Sequence, residues 1–313
     1  PEVTAKALER LWGQDETRYV VFGDHRRWME SLATHAPKLR ELADQPWIPG
    51  SALSPRLTWT DAGVMLQPHL PPGDSSAGSA ALHWVRAASL ACLNQGLDGV
   101  ITAPLNKAAL HEAGHHFDGH TELLASLTDI KSSWMLLASE KLSAIHVSTH
   151  TSLRNATERA TTQRVLDTVR TGWKHYQALG IDSPRIAVAG LNPHCGEGGI
   201  FGREEIEQIN AAVELGRKEG MDVKGPISGD TVFYRATRGE FDLVVAQYHD
   251  QGHIPTKLIA FDTTVNVTLG LPIRRTSVDH GTAFDIAWTG KADHTNMKAA
   301  IGYAKMMADR MAA

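Results

Sequence analysis

The chain has 313 residues, 31 Lys and Arg against 35 Asp and Glu, and a formal net charge of -4. With 42% hydrophobic and 21% charged residues it can bury a substantial core and does not have the composition of a disordered or fibrous chain. The mildly acidic balance excludes a basic footprint for nucleic acid or an anionic membrane, and the apolar runs are strand-sized, too short to span a bilayer.

In chain order, the pattern predicts a helix over 3–11, a strand over 19–22 and a loop excursion over the Pro-, Gly- and Ser-rich stretch 46–76. A helix over 79–93, a strand over 99–103 and a short helix over 121–126 follow. Two strands, 134–138 and 144–148, precede a long helix over 157–179. Then come a strand over 185–191, a helix over 204–219, strands over 243–248 and 265–269, and a terminal helix over 297–311. Strands alternating with helices predict an α/β fold with a mostly parallel sheet. The first helix has no strand ahead of it, although an α/β domain usually opens on one, so a short N-terminal piece is expected to be absent. No signal peptide pattern precedes that helix, and two cysteines, Cys92 and Cys195, are too few for a disulfide scaffold. Both features point to the cytoplasm.

Histidine is abundant, with 16 residues. Three of these, His150, His194 and His249, each close an apolar run, and open α/β sheets bind ligands beyond the carboxyl ends of their strands. Delivered there by three strands, they could share one divalent cation and leave positions open for substrate. The same pattern also fits three partly buried, hydrogen-bonded histidines. Asp250 is a further ligand or an orienting partner for a ligating histidine. Gly119-His-Thr-Glu122 stands before an apolar helical run, so its backbone N–H groups could meet a phosphate; a simple cap by Thr121 explains it equally. Lys257, Asn266 and the pair Arg274-Arg275 add cationic and amide donors near other strand ends. The stretch 196–202 is a tight βα turn or a place of close ligand approach. It lacks the G-x-G-x-x-G spacing, and no conventional dinucleotide fingerprint occurs elsewhere. Neither cysteine sits in a nucleophile elbow.

Read together, these segments resemble the PdxA family of 4-hydroxythreonine-4-phosphate dehydrogenases. The resemblance is carried by Thr102-Ala-Pro-Leu-Asn-Lys107, Gly119-His-Thr-Glu122, Leu191-Asn-Pro-His194, Gly229-Asp-Thr-Val-Phe233 and Tyr248-His-Asp-Gln-Gly252. Asn266-Val-Thr-Leu-Gly-Leu-Pro272 and Arg275-Thr-Ser-Val-Asp-His-Gly-Thr-Ala283 complete it, in order over nearly the whole chain. Family members open on a strand and a Gly-Asp-Pro-Ala-Gly-Ile-Gly-Pro-Glu loop, of which Pro1-Glu2 corresponds to the end.

The resemblance implies a two-lobed α/β/α fold, similar to the isocitrate and isopropylmalate dehydrogenases rather than the conventional Rossmann fold. Residues 1–125 with 276–313 would form one lobe, and 126–275 the lobe carrying the metal histidines, with the site in the cleft and at a homodimer interface. It implies NAD, with NADP as the alternative, and one divalent ion per site, zinc first and magnesium, manganese or cobalt as alternatives. His150, His194 and His249 would hold the ion, one of them donated by a second subunit. His120, Thr121, Lys257, Asn266 and Arg275 would contact a small phosphorylated hydroxy acid. Lys257, Asp250 and Asp230 are the candidates for catalysis, and Asn192, Gly196, Glu197 and Gly202 for cofactor binding. The implied reaction is oxidation of a 3-hydroxyl followed by decarboxylation. Biosynthetic members read Asp-Gln-Gly-Leu-Pro and Glu-Leu-Ala-Gly where this chain reads Asp250-Gln-Gly-His253-Ile-Pro255 and Asp285-Ile-Ala-Trp-Thr-Gly290. Those variants look like a branch acting on D-threonate or D-erythronate 4-phosphate, with His253 sensing C2 or merely packing. The competing readings are a PdxA-like cis-dihydrodiol dehydrogenase, a three-histidine metallohydrolase and a non-catalytic phospholigand-binding protein.

Overall fold

The structure is a computed structural model that describes residues 1–311 apart from Asp44, Ala52, Ser54, Pro55, Gln95, Asp118, Lys131 and the side chains of Thr121 and Glu122. The chain separates into two compact units, Pro1–Lys131 with Leu271–Ala308, and Ser132–Gly270 with Asp309–Ala313. The first opens with α1 (Glu2–Leu11), β1 (Tyr19–Phe22), α2 (His25–His35), α3 (Pro37–Arg40), β2 (Leu57–Thr60) and α4 (Ser75–Asn94). It continues through β3 (Val100–Thr102), α5 (Lys107–Glu112) and α6 (His120–Leu127). The second unit holds β4 (Trp134–Ala138), β5 (Ala144–His146), α7 (Leu153–Arg159), α8 (Thr162–Ala178), β6 (Ile186–Ala189) and α9 (Asn210–Lys218). It ends with β7 (Val223–Ile227), α10 (Gly229–Thr237), β8 (Leu243–Ala246), α11 (His249–Ala260) and β9 (Val265–Leu269). The chain then returns to β10 (Arg275–Ser277) and α12 (Thr295–Met311).

In the first unit β1 pairs parallel with β2, and β3 parallel with β10. The segment expected to be all loop, 46–76, therefore contains β2, whose Leu57 is fully buried against Leu8, Leu32 and Leu39. Buried Asp24 fastens this unit twice, accepting from the Arg27 N–H at 2.9 Å as the N-cap of α2 and from the Leu66 N–H at 2.8 Å. A cavity of about 490 Å³ lies within the unit, walled by Tyr19, Phe22, Trp28, Val100, Thr102 and His120.

In the second unit the strands lie in the order β9-β4-β5-β8-β6-β7. The sheet is mostly parallel, as expected, with one strand reversed: β4 runs against both β5 and β9, while β5-β8, β8-β6 and β6-β7 are parallel. The cause is the short β4–β5 connection, closed by mutual hydrogen bonds between the Ser139 hydroxyl and Leu142. A parallel pair needs a crossover of a dozen or more residues. Strands β6 and β8 are apolar at every position and fully buried, as expected for strands covered on both faces. Each large side chain buried there contributes roughly 1.5–3 kcal/mol. Gly172 lets α8 approach, since a Cβ there would lie 2.4 Å from Leu243 Cδ2.

Two of the expected helices are built differently, and α2, α3, α5, α10 and α11 are not among those expected. The helix over 157–179 is two, because Thr161 caps α8 by accepting from the Arg164 N–H at 3.3 Å. The segment 204–219 begins with one wide π turn, Glu205–Ile209, before α9. That turn carries Glu205 into the interior, and π turns commonly mark functional segments.

His175 on α8 is 6% exposed, and burial pushes its pKa down to about 4. It stays neutral in the folded chain and takes up a proton in the unfolded one below about pH 6.5. Its contribution is therefore intact above that value and is lost as pH falls toward 4, at up to about 1.4 kcal/mol per pH unit. We expect the urea midpoint to drop between about pH 7.5 and 5, and to drop less steeply in His175→Gln. Equal slopes for the two proteins contradict the assignment.

Candidate active site

Strands β5 and β8 are paired in register, His146 opposite Ala246, and their continuations leave the sheet side by side. The Val147 N–H donates to the Ala246 carbonyl at 2.8 Å, and the Ser148 hydroxyl to the Gln247 carbonyl at 3.0 Å. The end of β8 is tied to that of β6 as well. Gln247 Nε2 donates to the Ala189 carbonyl at 2.8 Å and Gln251 Nε2 to the Gly190 carbonyl at 2.7 Å. Held in this way, the rings of His150 and His249 come to 6.0 Å between centroids. His249 opens α11, and its Nδ1 lies 2.6 Å from Asp250 Oδ1. The carboxylate fixes the proton on Nδ1 and leaves Nε2 as the donor atom, the arrangement of a metal-ligating imidazole. Asp250 is thus an orienting partner of His249.

His194 is placed differently. It belongs to a turn after β6 in which His194, Cys195, Gly196, Glu197 and Gly198 all have positive φ, from 42° to 79°. Left-handed backbone costs roughly 1–2 kcal/mol at a residue with a Cβ, so this run has to be held by its surroundings. The holder is buried Glu205, which accepts from the Leu191 and Asn192 N–H groups at 2.7 Å each and from Asn192 Nδ2 at 2.9 Å. A Cβ on Gly196 would lie 2.6 Å from the Gly202 carbonyl, and one on Gly202 would lie 2.4 Å from Asn192 Nδ2. Asn192, Gly196 and Gly202 therefore build the turn, whereas Glu197 is exposed on it. Among the described residues, no three His, Cys, Asp or Glu side chains are grouped to hold a metal ion. One chain brings His150 and His249 together and keeps His194 on its own turn, with its ring 6.5 Å from that of Phe201.

The other expected residues fall as follows. Lys257 lies eight residues beyond His249 on α11, with its Nζ 5.9 Å from the Phe261 ring centroid. Asn266 is on β9, and its buried Oδ1 has no hydrogen-bond partner among the described residues. Asp230 is exposed at the start of α10. Burial, then the charges of Glu205 and Asp230, raise the Cys195 thiol, and burial pushes Cys92 up to about 12, so neither is a thiolate at neutral pH. In the first unit Arg275 is 2% exposed and donates to the Thr102 hydroxyl from Nη2 at 2.8 Å and Nε at 3.3 Å. His120 opens α6 and lines the cavity beside Thr102. Gly119 is the N-cap there, without a side-chain cap, and the Thr121 side chain lies outside the described residues.

Sequence reasoning missed Glu205 and His146, and left His253 between sensing and packing. His253, four residues after His249 on the same face of α11, stacks on it with centroids 3.6 Å apart and 13° between planes. Its Nδ1 lies 3.1 Å from Nε2 of His146, whose own Nδ1 is 3.1 Å from the Met135 carbonyl. Burial pushes His146 down to about 4; burial and then the charges of His146 and His249 push His253 to about 2, so both are neutral near pH 7. The legible signals were a polar residue inside an apolar strand and the four-residue spacing.

Buried strands with two histidines and a carboxylate just beyond their carboxyl ends are those of an α/β protein whose candidate ligand site lies where open α/β sheets bind ligands. The chain belongs to the PdxA family: the family model described as pyridoxal phosphate biosynthetic protein PdxA matches residues 15–304. It is 44% identical to a D-threonate 4-phosphate dehydrogenase of Cupriavidus necator over 315 aligned residues, covering 100% of this chain and 94% of that one. A 4-hydroxythreonine-4-phosphate dehydrogenase of Geobacter metallireducens is 49% identical over 233 residues, 74% of this chain and 69% of the relative. The crystal structure of the 4-hydroxythreonine-4-phosphate dehydrogenase of Klebsiella pneumoniae superposes with a TM-score of 0.83 at 41% identity, covering 98% of this chain and 95% of that one. These kinships make the chain an oxidoreductase of the dehydrogenase kind.

Gly252 is what admits His146 to α11, since a Cβ there would lie 2.3 Å from His146 Nε2. Gly→Ala inside a helix ordinarily stabilises by about 1 kcal/mol. Here we expect Gly252→Ala to destabilise by about 1–3 kcal/mol through overpacking. A rise in stability on urea denaturation would show that the two side chains are not in contact.

Proposed function

We propose that the chain is an NAD-dependent, divalent-metal-dependent dehydrogenase that oxidises the 3-hydroxyl of D-threonate 4-phosphate and then releases CO2. The observation that carries the reading is the meeting of His150 and His249, with Asp250 orienting the latter, in a member of this family. The substrate class follows the relative that spans the whole chain. The Geobacter relative favours a second substrate, 4-phosphohydroxy-L-threonine, which differs at C2.

His150, His249 and His194 hold the ion in this reading, with the set completed in a homodimer. The donor set fits: imidazole nitrogens, one ring oriented by a carboxylate, suit zinc and its divalent neighbours. Held by these residues, such an ion would supply Lewis acidity for loss of the alcohol proton and for the negative charge left on release of CO2. A nicotinamide cofactor would supply the hydride acceptor. Arg275, His120 and Thr121 bind the phosphorylated acid, giving binding energy away from the reacting carbon. Asn266 Oδ1, a buried acceptor without a partner among the described residues, accepts from a substrate hydroxyl. With Asp250 engaged on His249, Lys257 is left as the candidate for handling the alcohol proton. Asp230, Glu197 and the turn built by Asn192, Gly196 and Gly202 lie on the cofactor side.

We expect NADH absorbance to appear with D-threonate 4-phosphate and NAD, and kcat/KM to exceed that for 4-phosphohydroxy-L-threonine and D-erythronate 4-phosphate in side-by-side assays. A preference for the amino acid would assign the second substrate, and no NADH from any of the three would remove the dehydrogenase reading. His150→Ala, His194→Ala and His249→Ala should each abolish turnover and weaken metal binding; full metal-dependent activity in any one takes that residue out of the set. Arg275→Ala should raise the substrate KM about tenfold or more, the worth of a charge-assisted hydrogen bond. An unchanged KM excludes it from phosphate binding.

A further inference from the structure

Four histidines of the second unit stand in file from the surface inward. His150 meets His249, His249 stacks on His253, and His253 is hydrogen-bonded to His146. The buried end sets the direction of every bond. The Met135 carbonyl can only accept, so His146 carries its hydrogen on Nδ1, and His146 Nε2 is left as an acceptor. His253 must then donate from Nδ1, to His146 Nε2 at 3.1 Å and to the His249 carbonyl at 3.0 Å. Gly252, with no Cβ, brings the helix close enough for this bond. His253 is 7% exposed, with its ring stacked against that of His249.

We propose that His253 is a positioning residue: clamped in its Nδ1–H tautomer by His146, it holds the His249 ring face to face, so that His249 Nε2 is offered in one orientation. The His249 imidazole is fixed from two sides, its edge by Asp250 and its face by His253. Free rotation of that ring would otherwise have to be stopped when an ion binds, and the file stops it beforehand. This inference rests on the reading of His249 as a metal ligand. It replaces a direct role for His253 at the substrate C2 with an indirect one through His249.

The test is a cobalt(II) titration of the metal-stripped full chain, read by its visible ligand-field bands and by the dissociation constant. Wild type should bind, and His249→Ala should lose the bands. His253→Leu should bind about ten- to hundredfold more weakly, with shifted bands and little change in Tm. His253→Phe, which keeps a flat ring against His249, should lie between them. Unchanged affinity and bands in His253→Leu would overturn the positioning role while leaving His249 a ligand. Bands that survive His249→Ala would instead overturn the ligand reading and this inference with it. A second measurement needs no variant: long-range proton–nitrogen correlation spectra of metal-free protein labelled at histidine should show His253 protonated on Nδ1. An Nε2–H tautomer would overturn the clamp.

Discussion

The site depends on one constraint, the parallel pairing of β5 with β8 in register. Because the two strands end level, their continuations emerge together, and two histidines 99 residues apart in sequence become neighbours. A slip of one residue would turn each side chain to the opposite face. The amide side chains of Gln247 and Gln251 extend the constraint to the end of β6, where the turn carrying His194 begins. The apolar strands thus set the geometry, and the polar residues just beyond them make up the candidate site.

Two buried polar systems support this edge by different means. Glu205 gathers three N–H donors and so fastens a left-handed turn that would unwind without them. Its carboxylate is inside the protein because hydrogen bonds replace the water it has left. The file of His146 and His253 is neutral, and each ring nitrogen's role follows from a carbonyl at its deep end. Such a network tolerates one tautomer and resists others, which is the property needed behind a residue that has to point in one direction.

What the sequence made legible follows from how each element is stabilised. Strands β4 and β9 were recoverable residue for residue, and β6 and β8 within a few residues, because their apolar runs are the burial signal itself. Strand β10 was not, since Arg-Thr-Ser does not look like a strand; its residues are buried because Arg275 bonds Thr102 and Thr276 bonds the Ala300 carbonyl. Strand β7 was hidden by Gly225 and Pro226, and helix α11 by Gly252 and Pro255, whose local costs are overridden by packing. For the site, His150 and His249 were legible from their places after apolar runs. Glu205 and the inner histidines were not, because their roles arise only when segments distant in sequence are folded against each other.

The central claim is that the paired strand ends deliver two imidazoles to one divalent ion. Anomalous diffraction from crystals of the protein grown with zinc tests it most directly. The account predicts a single strong peak within about 2.0–2.1 Å of His249 Nε2 and of a ring nitrogen of His150. A peak bound elsewhere, with these two rings left bare, would contradict it.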